Sequence, residues 1–168
     1  SPALADLDGD SSAEVVIGKM RDNFDRKTAF LSGAAKNKNK TIRDIVIMAS
    51  ILEEEVSSEK DRKLIAGILW KRLEENMPLQ VDATLTYVTA RASHKLTDED
   101  LALDSPYNTY RYDGLPAGPI SSPGLGAIDA ALNPTPSTYW FYLSDAKGVI
   151  HYAKTFDEHK LNKTRYIR

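Results

Sequence analysis

Apolar residues recur at helical spacing along most of this chain, and short polar clusters interrupt them. Hydroxyl–acid pairs three residues apart stand at the head of several such runs: Ser11-x-x-Glu14, Thr41-x-x-Asp44, Ser58-x-x-Asp61, Thr97-x-x-Asp100 and Thr155-x-x-Glu158. In such a pair the hydroxyl accepts from a free backbone N–H of the first turn while the acid reaches back, so each marks a helix start. The pattern predicts helices over 12–31, 41–56, 58–76, 97–103, 124–132 and 156–166, with a further short helix around 82–91. Residues 32–40 read as a linker, Ser-Gly-Ala-Ala followed by alternating Lys and Asn. The stretch 104–123 contains Pro106, Pro116, Pro119 and Pro123 and reads as an ordered irregular loop. Near the end, Tyr139–Ser144 and Val149–Ala153 flank Asp-Ala-Lys-Gly, which predicts a β-hairpin with a glycine available for positive φ. The fold class expected is α+β, a helical body with a small antiparallel sheet or hairpin.

Composition narrows the function. The 168 residues fit one domain, or one domain with a short arm. The formal net charge of −2 lacks the basic footprint by which phosphate backbones are held, so nucleic acid is not an expected partner. The Lys36–Lys40 run is read as a solvated linker rather than a polyanion patch. With no cysteine, thiolate catalysis, disulfides and Cys-based zinc sites are excluded. No apolar run is long enough to span a bilayer, and the first residues lack the features of a signal peptide. A membrane anchor, if there is one, is expected outside this chain.

The chemistry begins from the placement of one acid. On a helix over 41–56, at about 100° per residue, Ile42, Ile45, Val46, Ala49, Leu52 and Val56 share an arc of roughly 120°. Glu53 falls inside that arc, whereas Glu54 and Glu55 fall outside it and are expected to be solvated. A carboxylate directed into apolar surroundings must be paired or protonated. Desolvation raises its pKa toward the range of a general acid at neutral pH. Glu53 is therefore either a buried, paired structural acid or a catalytic one.

Other signals are weaker. Asp82 could be the second carboxylate of a glycosidase, or the N-cap of the following helix. Ser57-x-x-Lys60 and Ser144-x-x-Lys147 match a serine–lysine pattern, but its companion motifs are missing. His94, His151 and His159 have no ligand spacing, and no metal site is expected. Asp6, Asp8, Asp10 and Glu14 fail the calcium-loop pattern and read as an acidic leader.

Five blocks in order carry a resemblance. Ala49-Ser50-Ile51-Leu52-Glu53-Glu54-Glu55 resembles the Ala-Ser-Ile-Val-Glu-x-Glu motif of the endolytic murein transglycosylases (the MltG or YceG-like family). Asn76–Thr84, Ser105–Tyr110, Gly114–Ile120 and Ala131-Leu132-Asn133-Pro134 follow at matching places. Ala83, Ala117 and Ser122 depart from the family's usual residues. The likeness covers 41–168 and implies a lytic-transglycosylase-type catalytic domain there, with 1–40 a helical arm and basic linker that carries no such signal. It implies that Glu53 is the acid/base, cutting the MurNAc-β-1,4-GlcNAc bond within a peptidoglycan strand to leave a 1,6-anhydro end. Asp82 would assist, and Gln80, Thr84, Tyr107, Asn108 and Thr109 would line the sugar groove. No cofactor is implied. The implied partners are glycan strands and wall-synthesis proteins, at the extracytoplasmic face of a bacterial cytoplasmic membrane. The alternatives are a hydrolase of the same bond, using Asp82 or another acid to activate water, and a non-catalytic wall-binding module. The aminodeoxychorismate lyase label, also attached to this family, would need a phosphate cup that the sequence lacks.

Overall fold

The computed structural model describes residues 13–29 and 31–167. The acidic leader and the Ser11 cap lie outside the described residues. The chain divides into two compact units, Ser1–Ile42 and Arg43–Arg168.

The first unit holds α1 (Ala13–Thr28) and α2 (Leu31–Asn37). The stretch expected to be a linker is thus helical for most of its length. Leu31 and Ala35 are both buried and stand one turn apart, enough of an apolar stripe to order a short helix. Asn39 adopts φ 54°, and the amide of Lys40 bonds back to the Ala35 carbonyl at 3.1 Å, ending the helix in a left-handed turn.

In the second unit α3 (Ile42–Glu55) is followed by α4 (Glu59–Glu74), α5 (Asp82–Thr89), a 3₁₀ turn (Ser93–Lys95), α6 (Asp98–Leu101) and α7 (Leu125–Leu132). The hairpin β1 (Phe141–Ser144) and β2 (Ile150–Ala153) and the last helix, α8 (Phe156–Tyr166), complete it. Both predicted capping boxes at Thr97 and Thr155 form, and the Ser58 side chain accepts from the Asp61 amide. The hairpin pairs Phe141 with Ala153 and Ser144 with Ile150, and Gly148 turns with φ 78°. No described helix is long and apolar enough to cross a membrane.

The centre of this unit is α3. Residues 47 to 52 are all buried, not only one stripe of them. The proline-rich loop covers one side: the Ile120 amide donates to Ser50 Oγ (3.0 Å), and Ser121 Oγ donates to the Ser50 carbonyl (3.0 Å). Asn108 organises the loop itself, its amide donating to the carbonyls of Leu101 (2.9 Å) and Leu103 (2.8 Å). The chain leaving α7 crosses α4, where Thr135 donates to the Lys63 carbonyl at 2.9 Å and Trp70 Nε1 donates to the Ala131 carbonyl at 2.8 Å.

Candidate active site

Between the C-terminal turn of α3, the start of α5, the hairpin and α8 lies a cleft of about 730 Å³. Glu55, Arg72, Asp82, Tyr110, Tyr142 and His159 are among its lining residues. Glu55 is the acid that the cleft desolvates. Its carboxyl is pushed up from 4.5 to about 7, with loss of hydration the largest cause and the charge of Asp82 adding to it. A hydrogen bond from Tyr142 opposes the rise.

Two phenols serve two carboxylates here. Tyr142 donates to Glu55, and burial raises its own pKa well above the usual tyrosine range. Tyr110 donates to Asp82, and burial followed by that bond raises it likewise. Both therefore remain O–H donors at any physiological pH. Arg72 is 5% exposed and donates to backbone carbonyls, to Leu79 at 2.7 Å and twice to Trp140 at 2.9 and 2.6 Å. Its bonds tie β1 to the loop before α5. That loop carries Gln80, held at φ 51°, where its amide donates to the Thr109 carbonyl at 3.0 Å. A non-glycine residue in this region costs about 1 kcal/mol or more and persists only where its surroundings over-determine it.

His159 stacks on Phe141 with ring centroids 5.4 Å apart, and its Nδ1 is buried without a partner among the described residues. Burial, Lys163 and Arg72 together lower its pKa. The imidazole is thus neutral at pH 7.

Glu53 lies elsewhere. Its side chain is 35% exposed, its Oε2 sits 3.9 Å from Arg62, and it accepts from the Gly124 amide at 3.4 Å. Gly124 is the N-cap of α7, so Glu53 is a carboxylate set against a helix N-terminus and a guanidinium, a common anchoring arrangement. Desolvation therefore falls on Glu55, which was expected to be solvated, while Glu53 keeps a partly exposed side chain held by Arg62 and the Gly124 amide. The arc argument assumes that one face of the helix is wet. On α3, Ile47, Met48 and Ile51 are buried too, and Glu55 continues that second stripe. The i, i+3, i+7 spacing of Met48, Ile51 and Glu55 was the signal in the sequence that could have found it.

The remaining expected site residues separate. Gln80 and Asp82 line the cleft. Asp82 is the first residue of α5 and not its cap, since Val81 occupies that position. Thr84, Asn108 and Thr109 are buried and engaged in the scaffold: Thr109 Oγ1 accepts from the Val81 amide (3.1 Å) and lies 3.0 Å from Thr84 Oγ1. They hold the cleft wall rather than face its space. Tyr107 packs on Tyr87, ring centroids 5.0 Å apart, away from this cleft. Sequence reasoning missed Glu55, Arg72, Tyr110 and Tyr142, which become neighbours only through tertiary contact.

Residues 2–165 match the YceG-like family. The chain belongs to this family. The match includes residues from the N-terminal arm, so the expectation that 1–40 carries no family signal is corrected. An endolytic murein transglycosylase of Bacillus subtilis is 34% identical over 160 residues, covering 95% of this chain and 44% of that protein. One of Streptococcus pneumoniae strain R6 is 32% identical over 172 residues, covering 99% of this chain and 31% of that protein. This YceG-like chain thus spans less than half the length of these curated relatives. A crystal structure of a yceG-like protein from Listeria monocytogenes superposes with a TM-score of 0.83 at 38% identity, over 89% of this chain and 49% of that one.

The Glu55 titration has a measurable consequence. Between pH 4.5 and about 7 the folded protein keeps a proton that the unfolded chain has released. Stability therefore falls as pH rises through that window and levels above it, at a cost on the order of 3 kcal/mol. Glu55→Gln removes the charge that must be buried. Denaturant titrations should show this variant more stable than its parent at pH 8, with the difference shrinking to nothing near pH 4.5. A difference that does not change with pH would place the titrating burden on another group.

Proposed function

We propose that this chain cuts peptidoglycan glycan strands as a lytic transglycosylase, with Glu55 as the one group acting as acid and then base. The observation that carries this is a carboxyl raised to about 7 inside a cleft of about 730 Å³, in a chain whose relatives bear the transglycosylase name. A pKa near the operating pH gives such a group both protonation states within one catalytic cycle.

Protonated Glu55 donates to the glycosidic oxygen as the bond to C1 of the muramyl residue breaks and the sugar gains oxocarbenium character. The resulting carboxylate accepts the proton of the muramyl 6-hydroxyl as that oxygen closes on C1. The products are a strand with a free GlcNAc 4-hydroxyl and a strand ending in 1,6-anhydromuramate, and no water is consumed. An intramolecular hydroxyl reacts at high effective concentration, so no second carboxylate is required to hold a nucleophile. Asp82 fits that economy: it is already the acceptor for Tyr110, and its charge helps Glu55 keep its proton. Gln80, beside it, would hydrogen-bond the sugars. Glycan strands are the partner this reading requires. A working place outside the cytoplasmic membrane, beside wall-synthesis proteins, belongs to the same proposal.

Mass spectrometry of purified strands after incubation with the chain tests the reaction type. Anhydromuramyl ends are expected. Reducing ends would make it a hydrolase and would require Asp82 or another acid to activate water. Uncut strands would leave a wall-binding module.

A further inference from the structure

The cleft does not end at α3. A second cavity of about 470 Å³ shares Glu54 and Ser93 with it and continues along α5, lined by Ala83, Thr86, Tyr87, Ala92 and Ile120 as well. Tyr87 is 51% exposed there, with one side of its ring supported by Tyr107 at 5.0 Å. The absence of a side chain at Gly118 leaves room for the Tyr107 ring, because a β-carbon there would stand 3.0 Å from its hydroxyl. A half-exposed aromatic ring in tilted contact with a second ring, beside polar groups, can offer apolar surface to a flat, amphipathic ring while retaining hydrogen bonds at its edge. Thr86 adds a buried hydroxyl without a partner among the described residues, as the His159 Nδ1 is in the first cleft, and such groups are rare in folded proteins.

We infer that this second cavity is a sugar-binding subsite of the same groove, taking a neutral N-acetylhexosamine of the strand one or more units from the bond that is cut. The inference rests on the cleft being the cutting site, and it concerns what lies beside it. The chemistry selects the ligand class. The cavity lining contains no cation to attract a phosphate or a carboxylate, and Glu54 at the junction disfavours an anion. A pyranose presents C–H bonds to Tyr87 and hydroxyls to Thr86, Ser93 and Glu54. A strand crossing Glu54 would then occupy both cavities at once, with Glu55 facing the bond between two held segments. Holding the strand on both sides of the bond fixes the glycosidic oxygen and C1 relative to Glu55.

The test is binding of peptide-free glycan oligomers of graded length to Glu55→Gln, measured by calorimetry, with and without changes in the second cavity. Tyr87→Ala should weaken binding of the longer oligomers about tenfold, the equivalent of a stacking contact worth about 1.4 kcal/mol. Tyr87→Phe should bind as its parent does. Ala92→Trp introduces bulk at an exposed position, so it fills the cavity without a packing defect in the core, and should produce the same length-dependent loss as Tyr87→Ala. Affinity that rises with length in the parent and ceases to rise in both Tyr87→Ala and Ala92→Trp supports the subsite. Equal affinity of parent, Tyr87→Ala and Ala92→Trp at every length overturns it, as does a parent that binds no oligomer. These readings are separate from the cutting reaction: strand cleavage that survives Glu55→Gln would overturn the proposed acid while leaving the binding comparison in force.

Discussion

Glu55→Gln should abolish strand cleavage while the protein stays folded, and Glu53→Gln should leave most of the activity. The difference follows from what surrounds each acid. Glu55 lies in the cleft with its pKa raised to about 7, next to Tyr142 and within the field of Asp82. A glutamine there keeps an oxygen for Tyr142 to donate to but has no proton to give the glycosidic oxygen. Loss of a positioned general acid–base costs about 10²–10⁴ in rate, and with no second group to take over the loss should reach the upper end. Glu53 instead joins Arg62 and the Gly124 amide. Its loss should cost on the order of 1 kcal/mol of stability at the start of α7. Turnover of purified strands, followed by chromatography beside thermal melts of both variants, distinguishes the two. An inactive, folded Glu53→Gln beside an active Glu55→Gln would reverse the assignment.

Gly67→Ala should destabilise the second unit, although alanine normally stabilises a helix interior relative to glycine by about 1 kcal/mol. Gly67 lies in the middle of α4, where the chain after α7 crosses. A β-carbon there would overlap the Thr135 carbonyl oxygen and stand 3.0 Å from its carbon. The obstacle is backbone, which cannot turn aside as a side chain can. Relief requires moving the segment that holds the Thr135–Lys63 hydrogen bond (2.9 Å). Overpacking of this kind costs about 1–3 kcal/mol and more when backbone must shift. Net of the propensity gain, a loss of about 2 kcal/mol and a melting temperature several degrees lower are expected. The same substitution at Gly18 of α1 meets open space, so there the ordinary preference for alanine should hold. A Gly67→Ala protein as stable as its parent would show that the crossing segment has room to move.

What the sequence determined by itself is local. A capping box needs only residues three apart, and both Thr97 and Thr155 cap as their spacing requires. The hairpin needs a turn residue free to take positive φ, and Gly148 stands where one is wanted. The ordered motif blocks sufficed to suggest the family, because they survive as strings whatever the fold does with them. The Ala-Ser-Ile string, however, carries three glutamates here, and helical spacing picked out Glu53 as the one directed into apolar surroundings. That choice depended on which sides of α3 are covered. An amphipathic arc supposes one wet face, but the proline-rich loop closes over Ser50 and the hairpin brings Tyr142 to Glu55 from 87 residues away along the chain. Asn108 shows the same limit in reverse. Its place in a family motif suggested a sugar ligand, and the structure shows its amide engaged with the carbonyls of Leu101 and Leu103. Residue type and spacing set which hydrogen bonds and helices can form locally. Desolvation, which pushes the Glu55 carboxyl up to about 7, is a property of what the rest of the chain places around it, and only the tertiary structure decided that.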